Sequence, residues 1–578
     1  MRGNIGVGIA VCVVFGCGSP VKQEVDVSAT TDLSKEALID VAAPDVTGDL
    51  LSDRMTDERE TVGGPLELPG FFPVSAIPGE GAEWTFEAAG GQPPYGPWTI
   101  IMGSLPPGVE LDAMTGVIAG TPTADGLFPV VLEVLDSAGA RVDNLFALHI
   151  SPADAPAALA QRAHDYQQVY EARHLWNGMS LGAEQPDDSE GDYQLCTYGD
   201  CAFVSGQCTM AMAYRYAVER TPEALDTITQ QVEGWRFFQR LTGVPGLIGR
   251  CYAHKTDPSS DTQWTRFYPD ANKHKGVGEF DGYYWQADAS RDQVTGAVLG
   301  VSAAASLVDD DHVQELATTF LTELLDHVWD NGLKLIDPDG EMTAYGNLDG
   351  ENLEGWPIPN GLNAVCILAW LKAAYNASGE ARFQDYYEEL MYERDYLSIL
   401  ADAMWVYSGY GTKWYNAYMA YENYFHLVRL EEDPQLKQKL ALRFRNSLWL
   451  NTDGDGHGRG GIHEWNPTKT LWYLNATGER DPIAEYHALG QVAVFPEAPL
   501  RDHQVSNSKN PAIAPNPNYP TESLDPLPAN LRKPDMVIWH RNPYELDGGQ
   551  DTGEERTGCD YLLPYWMGRY YNLISPNW

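Results

Sequence analysis

The stretch GEFDGYYWQADASRDQVTGAVLG, Gly278 to Gly300, gathers acids, aromatic rings and a guanidinium just ahead of an apolar run. It holds the carboxyls of Asp281, Asp288 and Asp292, the rings of Tyr283, Tyr284 and Trp285, and Arg291. Cleavage of a glycosidic bond needs two carboxyls: one protonated to assist the leaving group, one that activates water or attacks the sugar. Aromatic faces hold sugar rings while polar groups take their hydroxyls. The same residues also read as the start of a helix. Ser290 and Gln293 have the spacing of a capping box, and Asp292 suits the positive end of the helix dipole. That reading accounts for Ser290 and Gln293 and leaves Asp288, Trp285 and Arg291 as candidates for chemistry, with Asp292 serving either role. Arg291 has the fork that holds a carboxylate in two places, or it pairs with a neighbouring acid.

A second carboxyl can come from another loop. The candidates are Asp200 in CTYGDCAF, Asp349, Glu351 and Glu354 in NLDGENLEGW, and Glu464 in GIHEW. Each also reads as a solvated loop acid; their recurrence just before apolar helices sets them apart. Trp356, Trp414 with Tyr415, Trp465 and Trp472 accompany these loops, as sugar-stacking faces or as helix packing. A basic island, Arg266, Lys273, His274 and Lys275, interrupts an acidic chain. It reads as solvated ion pairs or as a receiver for a uronate carboxylate. A lyase needs such a cation beside a Tyr, His or Lys base. In NTDGDGHG, Asn451, Asp453 and Asp455 place oxygen ligands at alternate positions, like the first half of an EF-hand loop. The twelfth position is Ile462 rather than Glu, so the pattern fits either a structural Ca2+ site or a plain Asp-Gly turn. No other cofactor is required.

These residues must be positioned by what surrounds them. From Ala155 to the C-terminus the periodicity is helical, and the helices alternate in kind. FQDYYEELMYERDYLSILAD has one apolar stripe; NGLNAVCILAWLKAAY is apolar on nearly every side and must be buried on every side. Pairs of this sort predict two concentric rings. Inner helices are expected to begin near Gly206, Asp292, Asn360, Trp414, Pro467 and Asp560, with outer ones over 156–172, 222–242, 311–330, 382–402 and 435–448. Residues 495–557 read mostly as loop. Six inner starts predict an (α/α)6 toroid over 155–578. SGQCTMAMAYRYAVE, SRDQVTGAVLG, WYNAYMAYENYFHLVRLEED and DYLLPYWMGRYYNLI resemble the six-hairpin glycosidase-like superfamily. The resemblance implies a cleft where loops lead into the inner helices, and it spans glycoside hydrolases, polysaccharide lyases and sugar epimerases. Related toroids serve terpenoid and peptide cyclases, so fold alone does not decide the function.

Residues 66–152 differ. Short β-branched and aromatic runs alternate with Gly/Pro turns, which predicts a small all-β sandwich. LPPGVELDAMTGVIAGTPTADGLFPVVLEVLDSAGA resembles the immunoglobulin-like modules of bacterial surface proteins, which implies a spacer or adhesion role. Ahead of it, 18–65 has no aromatic residue and reads as a disordered acidic tether. Residues 1–17 carry a short apolar run ending in Val14-Phe15-Gly16-Cys17, which resembles a bacterial lipobox. The expectation is cleavage before Cys17, lipidation of its thiol and an outer-membrane or cell-surface location; the alternative is an ordinary secretory signal. In an oxidising compartment Cys196, Cys201, Cys208 and Cys251 are expected to form two bridges in unspecified order. A zinc site has weaker support, since no paired C-x-x-C or local histidine accompanies them.

The net charge of −44 over 578 residues opposes nucleic acid and anionic lipid. The expected partner is therefore a carbohydrate, with membrane contact only through the lipid anchor. The leading expectation is a glycoside hydrolase acting on an extracellular glycan. The alternatives are a lyase acting on a uronate-containing glycan, and a non-catalytic glycan- or partner-binding surface lipoprotein.

Overall fold

The computed structural model describes residues 64–578 apart from 69–72, 153–157, 185–193, 197–198, 258–271, 353–358, 401–406, 409–410, 413, 451–464 and 536. Cys17, the tether and the Asn451–Asp453–Asp455 loop lie outside the described residues.

Seven strands form the N-terminal sandwich: β1 (Pro73–Ala76), β2 (Ala82–Thr85), β3 (Trp98–Gly103), β4 (Val109–Leu111), β5 (Val117–Gly120), β6 (Gly126–Leu135) and β7 (Arg141–Ile150). One sheet has the order β1-β7-β6-β3, the other β2-β5-β4. β1 runs parallel to β7, and the remaining pairs are antiparallel. Val130, Leu132, Val134, Phe146, Leu148 and Ile150 fill the space between the sheets. The opposite face of β6 and β7 is apolar too: Val131, Leu145 and Ala147 belong to the helical core. Sheets buried on both faces give continuous apolar runs rather than alternation, as LFPVVLEVL and NLFALHI do.

Twelve main helices follow among the described residues: α1 (Ala158–Val169), α2 (Cys201–Glu219), α3 (Pro222–Thr242), α4 (Arg291–Leu307), α5 (Asp311–Asp330), α6 (Gly361–Ser378), α7 (Ala381–Glu388), α8 (Trp414–Leu430), α9 (Pro434–Phe444), α10 (Pro467–Thr477), α11 (Pro482–Ala493) and α12 (Cys559–Tyr570). The even-numbered helices pack in the cycle α2-α4-α6-α8-α10-α12-α2, and the odd-numbered ones lie outside them. This is the (α/α)6 toroid, with six hairpins. α6 is buried from Gly361 to Ala374 and α2 from Cys201 to Tyr216, as their all-round apolar sequences require.

Three expectations change. α2 begins at Cys201, more than a turn before Gly206. The outer helix expected over 382–402 ends at Glu388 and continues as a π turn, Glu389–Glu393. The sixth outer helix, α11, was not expected at all. It packs against β3, β6 and β7, with Tyr486 beside Gly103 and Arg480 donating to Asn144 Oδ1 at 3.4 Å.

The cysteines also pair differently from expectation. Cys201 bonds Cys251, but Cys208 bonds Cys559, 351 residues away. Cys208 lies two turns into the first inner helix, where its nearest neighbour is the last one. The bond therefore closes the ring between α2 and α12, a contact that local spacing along the chain cannot reveal. Among the described residues Cys366 is free and buried.

Candidate functional site

The inner helices start at the end of the ring that carries the long loops. α2 and α4 meet there along a seam of glycines. A Cβ added to Gly206 would lie 2.0 Å from the Gly296 backbone, and one added to Gly300 would lie 2.4 Å from the Gly206 carbonyl oxygen. Without side chains between them the two backbones touch, and their N-termini come together. Asp200 stands at the N-cap position of α2 with its side chain free of the helix amides; Asp288 and Asp292 flank the start of α4. The three acids that the sequence placed in two separate loops thus share one site.

Gln293 joins two of them. Its Nε2 donates to Asp200 Oδ1 at 2.8 Å and to Asp292 Oδ2 at 3.3 Å. The capping box is also present: the Ser290 amide donates to Gln293 Oε1 at 2.7 Å. That bond fixes which end of the amide faces the acids. Ser290 Oγ donates to Asp292 Oδ1. The capping residues therefore serve the helix and the acid pair at once.

Arg250 joins the third. Its Nη1 lies 4.0 Å from Asp200 Oδ1 and its Nη2 lies 3.9 Å from Asp288 Oδ2. Nε donates to the Asp288 carbonyl at 2.5 Å, and Nη1 to the Gly199 carbonyl at 3.2 Å. Arg250 precedes Cys251, as Asp200 precedes Cys201, so the Cys201–Cys251 bond sets this cation beside that acid. Cys251 opens β8 (Cys251–His254), which pairs with β10 (Tyr283–Gln286); β9 (Lys273–Lys275) completes the sheet. β10 delivers the chain to Asp288.

Asp288 has φ +62, a left-handed conformation uncommon outside glycine, though Asp tolerates it better than most residues. It is held from three sides. Its amide donates to Asp337 Oδ2 at 2.9 Å, its carbonyl takes Arg250, and its Oδ1 accepts the Ala344 amide at 2.7 Å. Strain kept in place by this many contacts is characteristic of sites that do chemistry. Asp337 and Ala344 belong to the hairpin of β11 (Lys334–Ile336) and β12 (Met342–Asn347). The hairpin runs on to Arg291, whose Nη1 donates to Asn347 O at 3.4 Å and to Asn363 Oδ1 at 2.9 Å.

The environments separate the acids. Burial, then the negative charge of Asp292, pushes the Asp200 carboxyl up to about 6, against the pull of Arg250, Arg541 and Gln293. Burial pushes Asp337 up to about 6 as well, where the charges of Asp288 and Asp339 add to the effect and the Asp288 amide opposes it. Asp200 and Asp288 remain reachable, with side chains 33% and 27% exposed. About two turns further into the ring, Gln207 donates to Glu422 Oε1 at 2.6 Å and the Tyr418 hydroxyl donates to Gln207 Oε1 at 3.1 Å. Burial pushes Glu422 and Asp560 up to about 8, so at neutral pH both are largely proton-bearing.

Other predicted residues are engaged elsewhere. Asp349 and Glu351 are ion-paired to Arg394 at 2.7 and 3.0 Å, which ties two loops together. Trp285, expected in the sugar-binding wall, is 2% exposed, and the His274 ring stacks on it at 4.5 Å. Buried between β8 and β9, it offers no open face to a sugar. Tyr284 is half-buried, with Lys275 Nζ 5.7 Å from its ring centroid. Trp414 has Lys469 and Tyr544 around it, each 5.9 Å from its ring centroid. Trp465 stacks on His487 at 4.4 Å, and Trp472 is fully buried. Glu354, Trp356, Arg266 and Glu464 lie outside the described residues. Among those described, no group of three or more His, Cys, Asp or Glu is placed to hold a metal, and no helix is long and apolar enough to cross a membrane.

Arg250, Asp337 and the second role of Gln293 were missed. The one signal for Arg250 was its place next to a cysteine whose partner follows Asp200.

Residues 75–151 match the family described as "Putative Ig domain". No curated protein matches the chain. Among solved structures, the chain is similar over 88% of its length to a metagenome-derived glycoside hydrolase family 9 endoglucanase, with 14% identity, 99% of that chain covered and a TM-score of 0.39. It is similar over 73% of its length to the cellobiose 2-epimerase of Spirochaeta thermophila, with 13% identity, 100% of that chain covered and a TM-score of 0.36. A "putative alpha-galactosidase" of Bacteroides fragilis matches 19% of this chain at 20% identity with a TM-score of 0.14; the chain spans 26% of that protein's length.

Proposed function

We propose that the protein is a carbohydrate-active enzyme, a glycoside hydrolase in which Asp200 is the general acid and Asp288 the second carboxyl. The observation that carries this is the junction of acids: Asp200 shares the Gln293 amide with Asp292 and the Arg250 guanidinium with Asp288. An acid whose pKa lies near 6 still holds a proton close to neutrality and can pass it to a glycosidic oxygen as the C–O bond breaks. Asp288 faces Arg250 and the Ala344 amide, which hold its two oxygens in place. It takes a proton from the attacking water or itself bonds to the sugar carbon. Asp292 stays on its own helix cap, where its charge tunes Asp200. The guanidinium groups of Arg250 and Arg291 are already occupied by carbonyls, amides and acids, which favours a neutral glycan over the uronate a lyase requires.

Asp200→Asn and Asp288→Asn are near-isosteric and test the roles directly. Purified variants are assayed on neutral and uronate-bearing polysaccharides, reading reducing ends and ultraviolet absorbance together. The expected result is reducing ends without absorbance from the native protein, and a loss of about 10²–10⁴-fold in each variant with unchanged circular dichroism. Full activity in either variant sinks its assignment; new absorbance from a C=C bond would identify a lyase instead. Export and lipidation of Cys17 belong to the same proposal. Metabolic labelling with a fatty acid should mark the native protein and leave Cys17→Ser unmarked.

A further inference from the structure

The hydrolase reading leaves open what receives the sugar ring, because among the described residues the tryptophans expected to do so have close neighbours at their rings: Trp285 has His274, Trp414 has Lys469 and Tyr544, and Trp465 has His487. Two tyrosines there differ. Tyr345 is 47% exposed and Tyr415 is 50% exposed, and among the described residues neither stacks on another ring. Their positions follow from the contacts of the acids. Tyr345 lies on β12 between Ala344, whose amide donates to Asp288, and Asn347, whose carbonyl accepts from Arg291. Tyr415 is the second residue of α8, an inner helix that starts at the loop end; burial of its hydroxyl, then the neighbouring Tyr345 and Asp292, push its pKa up, with Arg291 opposing. Two hairpins thus bring two open rings to one cluster of acids.

We infer that Tyr345 and Tyr415 form the sugar-stacking wall of this site and that the wall takes an uncharged pyranose. The inference rests on the hydrolase reading and adds the class of substrate to it. A pyranose with axial C–H bonds presents a flat apolar face that a phenol ring covers, while the hydroxyls at its edge reach polar neighbours. The carboxyls around the wall, Asp288, Asp292 and Asp337, would repel a uronate; Arg250 and Arg291 next to them are already engaged.

The test uses the full chain carrying Asp200→Asn, so that bound sugar is not cleaved. Affinities are measured by calorimetry for cello-, manno- and xylohexaose and for a galacturonate hexamer. At least one neutral hexaose is expected to bind, the galacturonate at least tenfold more weakly. Adding Tyr345→Ala or Tyr415→Ala is expected to weaken the neutral ligand about tenfold each, while Tyr345→Phe and Tyr415→Phe stay within about twofold, because the ring rather than the hydroxyl does the work. Unchanged affinity in both alanine variants overturns the wall. Preference for the galacturonate, or no binding of any neutral hexaose, overturns the substrate class. Turnover that survives in Asp200→Asn alone overturns the acid assignment and not the wall, since the tyrosine comparison still stands on affinity.

Discussion

The two ends of the helical ring are built from the same helices and differ in almost everything else. At one end, inner helices pass to outer ones in two to four residues: Arg220–Thr221, Val308–Asp310, Gly379–Glu380, Glu431–Asp433 and Gly478–Asp481. Each such turn stops one helix, and four of the five also cap the next with a side chain. Gly379 and Gly478 adopt left-handed conformations, and Thr221, Asp310, Asp433 and Asp481 accept backbone amides. At the other end, the connections run for tens of residues, carry the small sheets and start from π turns on three outer helices. The left-handed Asp288, the raised acids Asp200 and Asp337, and the exposed Tyr345 and Tyr415 are there. The short end is nearly all capping and fixes the ring, so the other end can hold strained backbone and crowded charge.

The sharpest way to break this division is to disturb the seam that supports the loop end from within. Gly206→Ala sets a Cβ against the Gly296 backbone, and no side-chain rotation relieves a clash with backbone. Forced overpacking of this kind costs about 1–3 kcal/mol, with the upper part of that range expected for backbone. Because the seam also sets the spacing of Asp200 from Asp292, activity should fall beyond what the lost stability explains. Thermal melting and turnover at a temperature where the variant is fully folded check the two effects separately.

A smaller effect should appear only in the pH profile. Asp200 must keep its proton to act as an acid, so activity declines as pH rises through about 6. Asp292→Asn removes the negative charge that helps to raise this pKa, and the alkaline limb should move to lower pH by about 1. Gln293→Leu removes a donor that favours the ionised form, and the limb should move the other way. Opposite displacements from neighbouring residues are hard to produce by general damage. If both variants shift in the same direction, Asp200 is not the group being titrated.

How much of this could be seen in the sequence follows the same division. The inner helices were legible because burial on every side leaves an apolar sequence on every side. Five outer helices were legible by their apolar stripe. α11 was not: the outward face of β6 and β7 covers it, so the solvent-facing polar stripe is largely missing, and Ala484, Ala488, Leu489 and Val492 are buried. At the loop end, acids just before inner helices gave Asp200, Asp288 and Asp292, since a helix start is where the fold sends such a residue to the mouth. The same rule also picked Asp349 and Glu351, because composition does not show that Arg394 is beside them. Arg250 and Asp337 lie on strands and turns whose pairing joins distant parts of the chain. Open aromatic faces were misjudged for a related reason. Trp285 looked available until β9 placed His274 over it, whereas Tyr345 gave no sign that its ring would remain uncovered.

The smallest expected effect lies at the short end and is the most demanding check of the division. Thr221 caps α3, its Oγ1 accepting the Ala224 amide at 3.2 Å. Thr221→Ala leaves that amide unpaired and should cost about 1 kcal/mol of stability, with Thr221→Ser recovering most of it. The 19 residues of α2 separate this cap from Asp200, about 28 Å at 1.5 Å per residue. Melting temperature should therefore drop while kcat, KM and the alkaline limb stay put below the transition. A change in kcat at constant fold would mean that the cap is felt at the acids through α2, and the two ends would then have to be treated as one coupled unit.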